Sequence, residues 1–304
     1  MTMINKTIVH VVPQNTSVCG GIKVHCQLSE IENELGYKSY VAFPKNVYPS
    51  WFKTTANFIT YEEAEKLHPD LVVGWEDPMP LYRFVNSKKV CYIQGEIFFK
   101  WGIPYTDIIF WFVSLWNKNK INRPGYLISP FIDKEIFYPK QKFMITEFPL
   151  KLLVLERKFG SERWNEVYQF LVPEVRQKIS ITLLPDSSEE VFADTLRKND
   201  MFFASSYPEG LPLPSLEAMT VGTFVFGYSG GGGTDYMISG ENCIFVKDGD
   251  AISLAGRLND ILLRKDVFSW LNKTILNANV TASKYSRENT IIQLKNALQD
   301  LLND

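Results

Sequence analysis

Thr7-Ile8-Val9-His10-Val11-Val12 is a short run rich in β-branched residues, the first strand of a repeating pattern that decides the fold. A polar loop carrying Gly20 and Gly21 comes next. Apolar residues then recur at helical spacing through Ile22, Leu28, Ile31 and Leu35, and Gly36 ends the helix. A second β-rich run occupies residues 39–43. Strand, glycine loop, helix and strand make a β-α-β unit, which predicts a parallel sheet. The rhythm continues: residues 71–74, 89–94 and 108–114 read as buried strands separated by segments rich in Pro, Gly and charge.

A second series of strands is predicted at residues 152–155, 180–184, 200–204, 224–227 and 243–246, with helical segments between them. Between the two series, residues 129–139 (SPFIDKEIFYP) and the following stretch with Lys140 and Lys142 break the pattern and read as a connection. A chain of 304 residues exceeds the usual size of one compact domain. Two doubly wound α/β domains are therefore expected, at residues 1–136 and 137–304, facing across a cleft. Residues 287–302 place Ile291, Leu294, Leu298 and Leu301 along one helical face, so this terminal helix can pack back on the first domain.

Composition narrows the function classes. A net charge of −2 with 22% charged residues gives no sign of whole-chain attraction to nucleic acid, which is therefore the less expected partner. The first residues lead straight into the strand without a signal-peptide pattern, which predicts a cytoplasmic protein. Cys19, Cys26, Cys91 and Cys243 form no CxxC pair, and His10, His25 and His68 form no HxH or HExxH pattern, so neither a metal nor another cofactor is expected. The nine apolar residues 108–116 (IIFWFVSLW) fall far short of the roughly 20 needed to cross a bilayer as a helix. They read as a buried strand, with a membrane-facing patch and peripheral membrane contact as the alternative.

The chemistry is concentrated in residues 205–233. Glu209 and Glu217 are separated by seven residues; Pro208 and Gly210 keep the first on a loop, and Pro214 suits the first turn of a helix carrying the second. In open α/β sheets, ligands bind beyond the carboxyl ends of the strands, where a helix N-terminus offers unpaired N–H groups to phosphate. Carboxylates suit the remainder of a sugar diphosphate, because each can accept hydrogen bonds from neighbouring hydroxyls.

The run YPEGLPLPSLEAMTVG resembles the Glu-x7-Glu motif of the large retaining glycosyltransferase family called GT4, of GT-B fold. The resemblance implies that Glu209 contacts donor-sugar hydroxyls, that Glu217 holds the ribose, and that Gly210, Leu211 and Leu213 bring backbone to sugar or phosphate. Pro212 stands where many members have glycine and removes one backbone donor. Four more segments match the family in order. Gly20-Gly21 with His25 resembles its GGxxxH segment, which implies an acceptor or phosphate loop. Residues 129–139 resemble its interdomain connector. Residues 229–246 (SGGGGTDYMISGENCIFV) resemble its glycine-rich loop, which implies that Gly230 and Gly231 lie at the diphosphate.

Residues 152–158 (LLVLERK) resemble the strand that ends in the family's arginine, here Arg157. The family's lysine five residues on is replaced by Glu162, leaving Lys158 or Arg163 as the second cation. Gln94 replaces a histidine at the end of a first-domain strand and, with Glu96, is a candidate for the acceptor or phosphate loop; Glu96, Glu76 and Asp77 come just after strands there and are cleft candidates. The resemblance implies transfer from a nucleotide sugar to an acceptor hydroxyl with retention, Arg157 and Lys158 stabilising the leaving diphosphate and Glu209 positioning the sugar. The acceptor could be a glycan, a lipid-linked molecule or another hydroxyl compound. A nucleotide-sugar epimerase and a non-catalytic sugar-nucleotide-binding module share the fold and are the alternatives. A nicotinamide-dependent dehydrogenase is disfavoured, since Gly20-Gly21 lacks GxGxxG spacing.

Overall fold

The computed structural model describes residues 4–14, 17–95, 107–141 and 144–302. The chain divides into two compact units, Met1–Pro130 with Arg287–Asp304, and Phe131–Ser286.

The first unit contains β1 (Thr7–Val11), α1 (Gly20–Glu34), β2 (Lys38–Phe43), β3 (Phe58–Thr60), α2 (Tyr61–Lys66), β4 (Leu71–Gly74), β5 (Lys88–Ile93), β6 (Ile108–Phe112), α3 (Leu115–Ile121) and β7 (Gly125–Leu127). Its sheet is ordered β3-β2-β1-β4-β5-β6-β7, with every described pairing parallel. Most of β6 is interior: Trp111 and Phe112 are fully buried, Ile108 and Phe110 nearly so, and Ile109 is partly buried. β3 and β7 were not legible in the sequence, being three residues each with no room for a pattern. β3 runs straight into α2, whose start is fixed by reciprocal bonds between Thr60 and Glu63.

The second unit contains β8 (Leu150–Leu155), α4 (Gly160–Gln169), α5 (Pro173–Gln177), β9 (Ile179–Leu184), α6 (Glu189–Lys198), β10 (Met201–Ala204), α7 (Leu213–Val221), β11 (Phe224–Tyr228), β12 (Ile244–Val246), α8 (Ala251–Leu262) and α9 (Val267–Ala282). Its parallel sheet is ordered β12-β11-β10-β8-β9. Trp164 of α4 packs edge-on against Phe203 of β10 and Phe226 of β11 in the centre of the core, at ring distances of 5.6 and 6.0 Å.

The second unit begins at Phe131, before the boundary at residue 137 that the sequence suggests. The connector itself is packed there: the Ile132 N–H donates to Tyr285 O at 3.1 Å, Phe137 is fully buried against Phe192, and the Lys140 N–H donates to Val221 O at 3.0 Å. The terminal helix α10 (Arg287–Leu302) belongs to the first unit. Thr290 Oγ1 donates to Ser129 O at 2.8 Å, Lys88 Nζ donates to Leu301 O at 2.7 Å, and Arg287 pairs with Glu34 at 2.6 Å. Among the described residues, no helix is long and apolar enough to cross a membrane.

Candidate functional site

Four adjacent strands of the second unit, β12, β11, β10 and β8, deliver the candidate residues at their carboxyl ends. β8 ends in the tight turn Arg157–Phe159, in which Lys158 and Phe159 both hold positive φ, 54° and 62°. Gly160 opens α4 against the strand it has just left: a Cβ there would lie 1.8 Å from Leu155 O. Phe159, the N-cap residue of α4, offers no side-chain acceptor, and among the described residues no side-chain bond to the first N–H groups of the helix is seen. The Arg157 side chain has no hydrogen-bond or ion-pair partner among the described residues. Lys158 reaches across to form an ion pair with Glu209, its side chain 57% exposed and that of Glu209 20% exposed.

Glu209 is fixed by its backbone. Its N–H donates to Gly230 O at 2.7 Å and its carbonyl accepts from the Gly232 N–H at 3.0 Å, which extends the β10–β11 pairing into the two loops. The approach is close enough to require glycine: a Cβ at Gly232 would lie 1.7 Å from Gly210 O. Gly230 and Gly231 carry positive φ of 65° and 89°. Leu211 is buried, Leu213 opens α7, and Pro212 caps that helix only by its backbone while its carbonyl accepts from Tyr236 Oη at 2.8 Å. Glu217 lies within α7 and is 7% exposed.

Arg163 is placed differently from Arg157 and Lys158. It projects from α4 beneath the Glu209 loop, donates to Ser205 O, and stacks on the Tyr207 ring at 3.6 Å. This occupies its guanidinium within the scaffold, which leaves Lys158 as the exposed cation at Glu209. Asp248, two residues beyond β12, was not among the candidates read from the sequence. Its carboxylate accepts the Gly230 N–H at 3.1 Å and is also reached by the Ser229 N–H. Burial pushes the Asp248 carboxyl above its ordinary pKa, against the opposing pull of those two N–H groups and Arg163.

In the first unit the glycine segment meets a different environment. Gly20 and Gly21 form the first turn of α1, and Cys19, its N-cap residue, makes no side-chain capping bond. Gln94 lies against Gly21: a Cβ there would sit 2.3 Å from Gln94 Oε1. The Gln94 N–H donates to Glu76 Oε1 at 2.7 Å, and the Gly95 N–H donates to the same oxygen. Desolvation raises the Glu76 pKa against those bonds. Gly21, Gln94 and Glu76 are thus brought together; Glu96 lies outside the described residues.

His25 does not join them. It is 1% exposed, its Nδ1 2.9 Å from His10 Nδ1, while His10 Nε2 is 3.0 Å from Glu32 Oε2 and Ser39 Oγ donates to that oxygen at 2.6 Å. In the assignment that leaves both rings neutral, His10 donates to the carboxylate, His25 donates to His10, and His25 Nε2 is left bare. That nitrogen is buried and has no hydrogen-bond partner among the described residues. Burial first, and then His10, hold the His25 pKa well below its ordinary value. His25, expected at the acceptor or phosphate loop, lies in this buried cluster: its position on α1 turns it toward His10 of β1.

Among the described residues, no group of three His, Cys, Asp or Glu is placed to hold a metal ion.

Residues 154–279, all within the second unit, match the family model of Glycosyl transferases group 1. No curated protein matches the chain. Solved structures match over nearly its whole length. Sucrose-phosphate synthase from Thermosynechococcus elongatus is 15% identical, covering 98% of this chain and 100% of its own, with a TM-score of 0.76. A glycosyltransferase from Rickettsia africae ESF-5 is 14% identical over 99% of each chain, with a TM-score of 0.73. Anabaena HepE in complex with UDP and glucose is 11% identical, covering 96% of this chain and 99% of its own, with a TM-score of 0.73. The fold is accordingly GT-B, built from two Rossmann-like units, and the match to the group 1 glycosyl transferase model lies within the second of them.

Proposed function

We propose that this chain transfers a sugar from a nucleotide-sugar donor to an acceptor hydroxyl, with retention of anomeric configuration and without a metal ion. The observation that carries this reading is the Lys158–Glu209 pair at the adjoining ends of β8 and β10, flanked by the unpartnered Arg157 side chain and the glycine loop. Cleaving the bond from the anomeric carbon to a diphosphate builds positive charge on the sugar and negative charge on the leaving phosphate. Arg157, Lys158 and the uncapped start of α4 can stabilise the second by fixed positive potential. Gly230 and Gly231 let backbone approach the diphosphate. Glu209, beside Lys158, positions the sugar through its hydroxyls; it is not a nucleophile in this scheme, unlike the carboxylate of a retaining hydrolase. Glu217 takes the ribose. The acceptor is assigned to the first unit, where Gly20, Gly21, Gln94 and Glu76 supply backbone and polar groups, and the protein is assigned to the cytoplasm.

UDP is the first nucleotide to try, since HepE holds UDP and glucose. Thermal-shift measurement with UDP-, GDP- and ADP-sugars should show one donor raising the melting temperature through linkage. Donor turnover should persist in EDTA, and the product should keep the donor's anomeric configuration by NMR. Manganese-dependent activity would overturn the metal-free mechanism, and epimerised donor without acceptor would point to an epimerase.

A further inference from the structure

Asp248 belongs to neither glutamate motif nor glycine loop, yet it is the third point of contact among three neighbouring strand ends. β12 presents its carboxylate to the Gly230 N–H at 3.1 Å; the Gly230 carbonyl, one peptide unit away, accepts the Glu209 N–H at 2.7 Å; and Glu209 faces Lys158 from β8. Gly230 packs closely on the Glu209 segment: a Cβ there would lie 2.9 Å from the Glu209 Cβ. We infer that Asp248 is a positioning residue for the donor site, anchoring the glycine loop and, through it, the orientation of Glu209.

The carboxylate suits this task because a charged acceptor makes shorter, stronger bonds to N–H groups than a neutral one. Two consecutive loop amides, those of Ser229 and Gly230, are directed to it. Arg163 faces Asp248 electrostatically while holding Ser205 O and the Tyr207 ring, so the same small network grips the Glu209 loop at its root. A loop containing four consecutive glycines has little rigidity of its own. The Asp248 carboxylate adds a restraint from β12 to the backbone bonds at Glu209 and to the loop's own bonds, such as that from the Gly233 N–H to Ser229 O at 2.9 Å.

The role rests on the transferase reading, and two measurements separate them. Hydrogen exchange read by mass spectrometry needs no activity. In Asp248→Ala the amides of residues 205–212 and 229–233 should exchange about tenfold faster, with the rest of the second unit unchanged, and Asp248→Asn should recover part of that protection. Unchanged exchange would overturn the inference. Donor hydrolysis then tests whether Asp248 acts through Glu209: kcat should fall about tenfold in Asp248→Ala but less than about twofold when Glu209→Gln is already present. KM for the donor should move less than kcat. Equal losses in both backgrounds would mean a separate structural role and would also overturn it. If Asp248→Ala does not fold, Asp248→Asn carries both measurements, with about a threefold effect in each. A wild-type protein that turns over no nucleotide sugar would sink the transferase reading, while the exchange result would still decide the anchor.

Discussion

Two glycine-rich segments in this molecule each come after a parallel strand, and their neighbours use them in opposite ways. Beyond the end of β11, Gly230 and Gly232 are pressed against the Glu209–Gly210 segment, and the polar groups beside them, Lys158 and Glu209, remain partly open to solvent. At the start of α1, Gly21 faces only side-chain ends, and the motif's histidine turns inward to a buried chain of His10, Glu32 and Ser39. The same sequence device, glycine leading into a helix, supports a candidate ligand surface in one unit. In the other it leads into a polar core. What a glycine meets decides which outcome occurs.

The strongest test of that contrast is a pair of alanines. Gly232→Ala drives a Cβ into Gly210 O, where only backbone can give way, and should cost on the order of 3 kcal/mol, lowering Tm by about 6–12 °C. Gly21→Ala meets the movable Gln94 amide within a helix, so its stability should change by less than about 0.5 kcal/mol. Comparable melting shifts would erase the distinction.

The next effect concerns the two glutamates. Loss of a hydrogen bond to a charged group costs about 1.5–3 kcal/mol, so Glu217→Gln should weaken nucleotide sugar and free nucleoside diphosphate alike by about ten- to a hundredfold. Glu209→Gln should leave the free diphosphate almost untouched and lower turnover instead, since it orients the sugar. Calorimetric titration with the diphosphate, alongside hydrolysis rates, reads both; a reversed pattern would mean the donor lies the other way along this loop and helix.

On the buried side of the comparison, the pH dependence has a definite sign. The folded pKa of His25 lies below its unfolded value near 6.5, so between the two the unfolded chain binds the extra proton. Stability is therefore full above about pH 6.5 and should fall by up to about 1.4 kcal/mol per pH unit below it. His25→Gln should flatten that slope. Thermal unfolding between pH 7.5 and 5 measures it, and identical slopes would remove His25 as the source.

The smallest expected effect is on the exposed side. The Lys158–Glu209 pair is largely open at its lysine end and screened by water, so Lys158→Met should change stability by less than about 1 kcal/mol while reducing donor turnover. A large loss of stability would make the pair structural rather than functional.

The parallel-sheet architecture was legible because strands buried on both faces, such as residues 71–74 and 224–227, must read as unbroken apolar runs. The terminal helix was legible for the same kind of reason: Leu294, Leu298 and Leu301 keep one face apolar along its length. The short β3 and β7 carry too few residues for either period, and their existence depends on a neighbouring edge to pair with. The boundary at Phe131 depends on which core the connector enters, and no local pattern records that.

For the site, residue types and their order could be read directly along the chain: two glutamates seven residues apart, a glycine run, and cations after β8. Which cation faces Glu209 could not. Arg163 and Lys158 are interchangeable candidates in one dimension, but the helical turn of α4 carries Arg163 under the loop to Tyr207, whereas the left-handed backbone at Lys158 turns that residue toward Glu209. The interior place of His25 and the membership of Asp248 in the site likewise emerged only from the folded chain. Sequence spacing fixes neighbours along one element, but contact across strands β12, β11, β10 and β8 depends on sheet order and register, which exist only once the chain has folded.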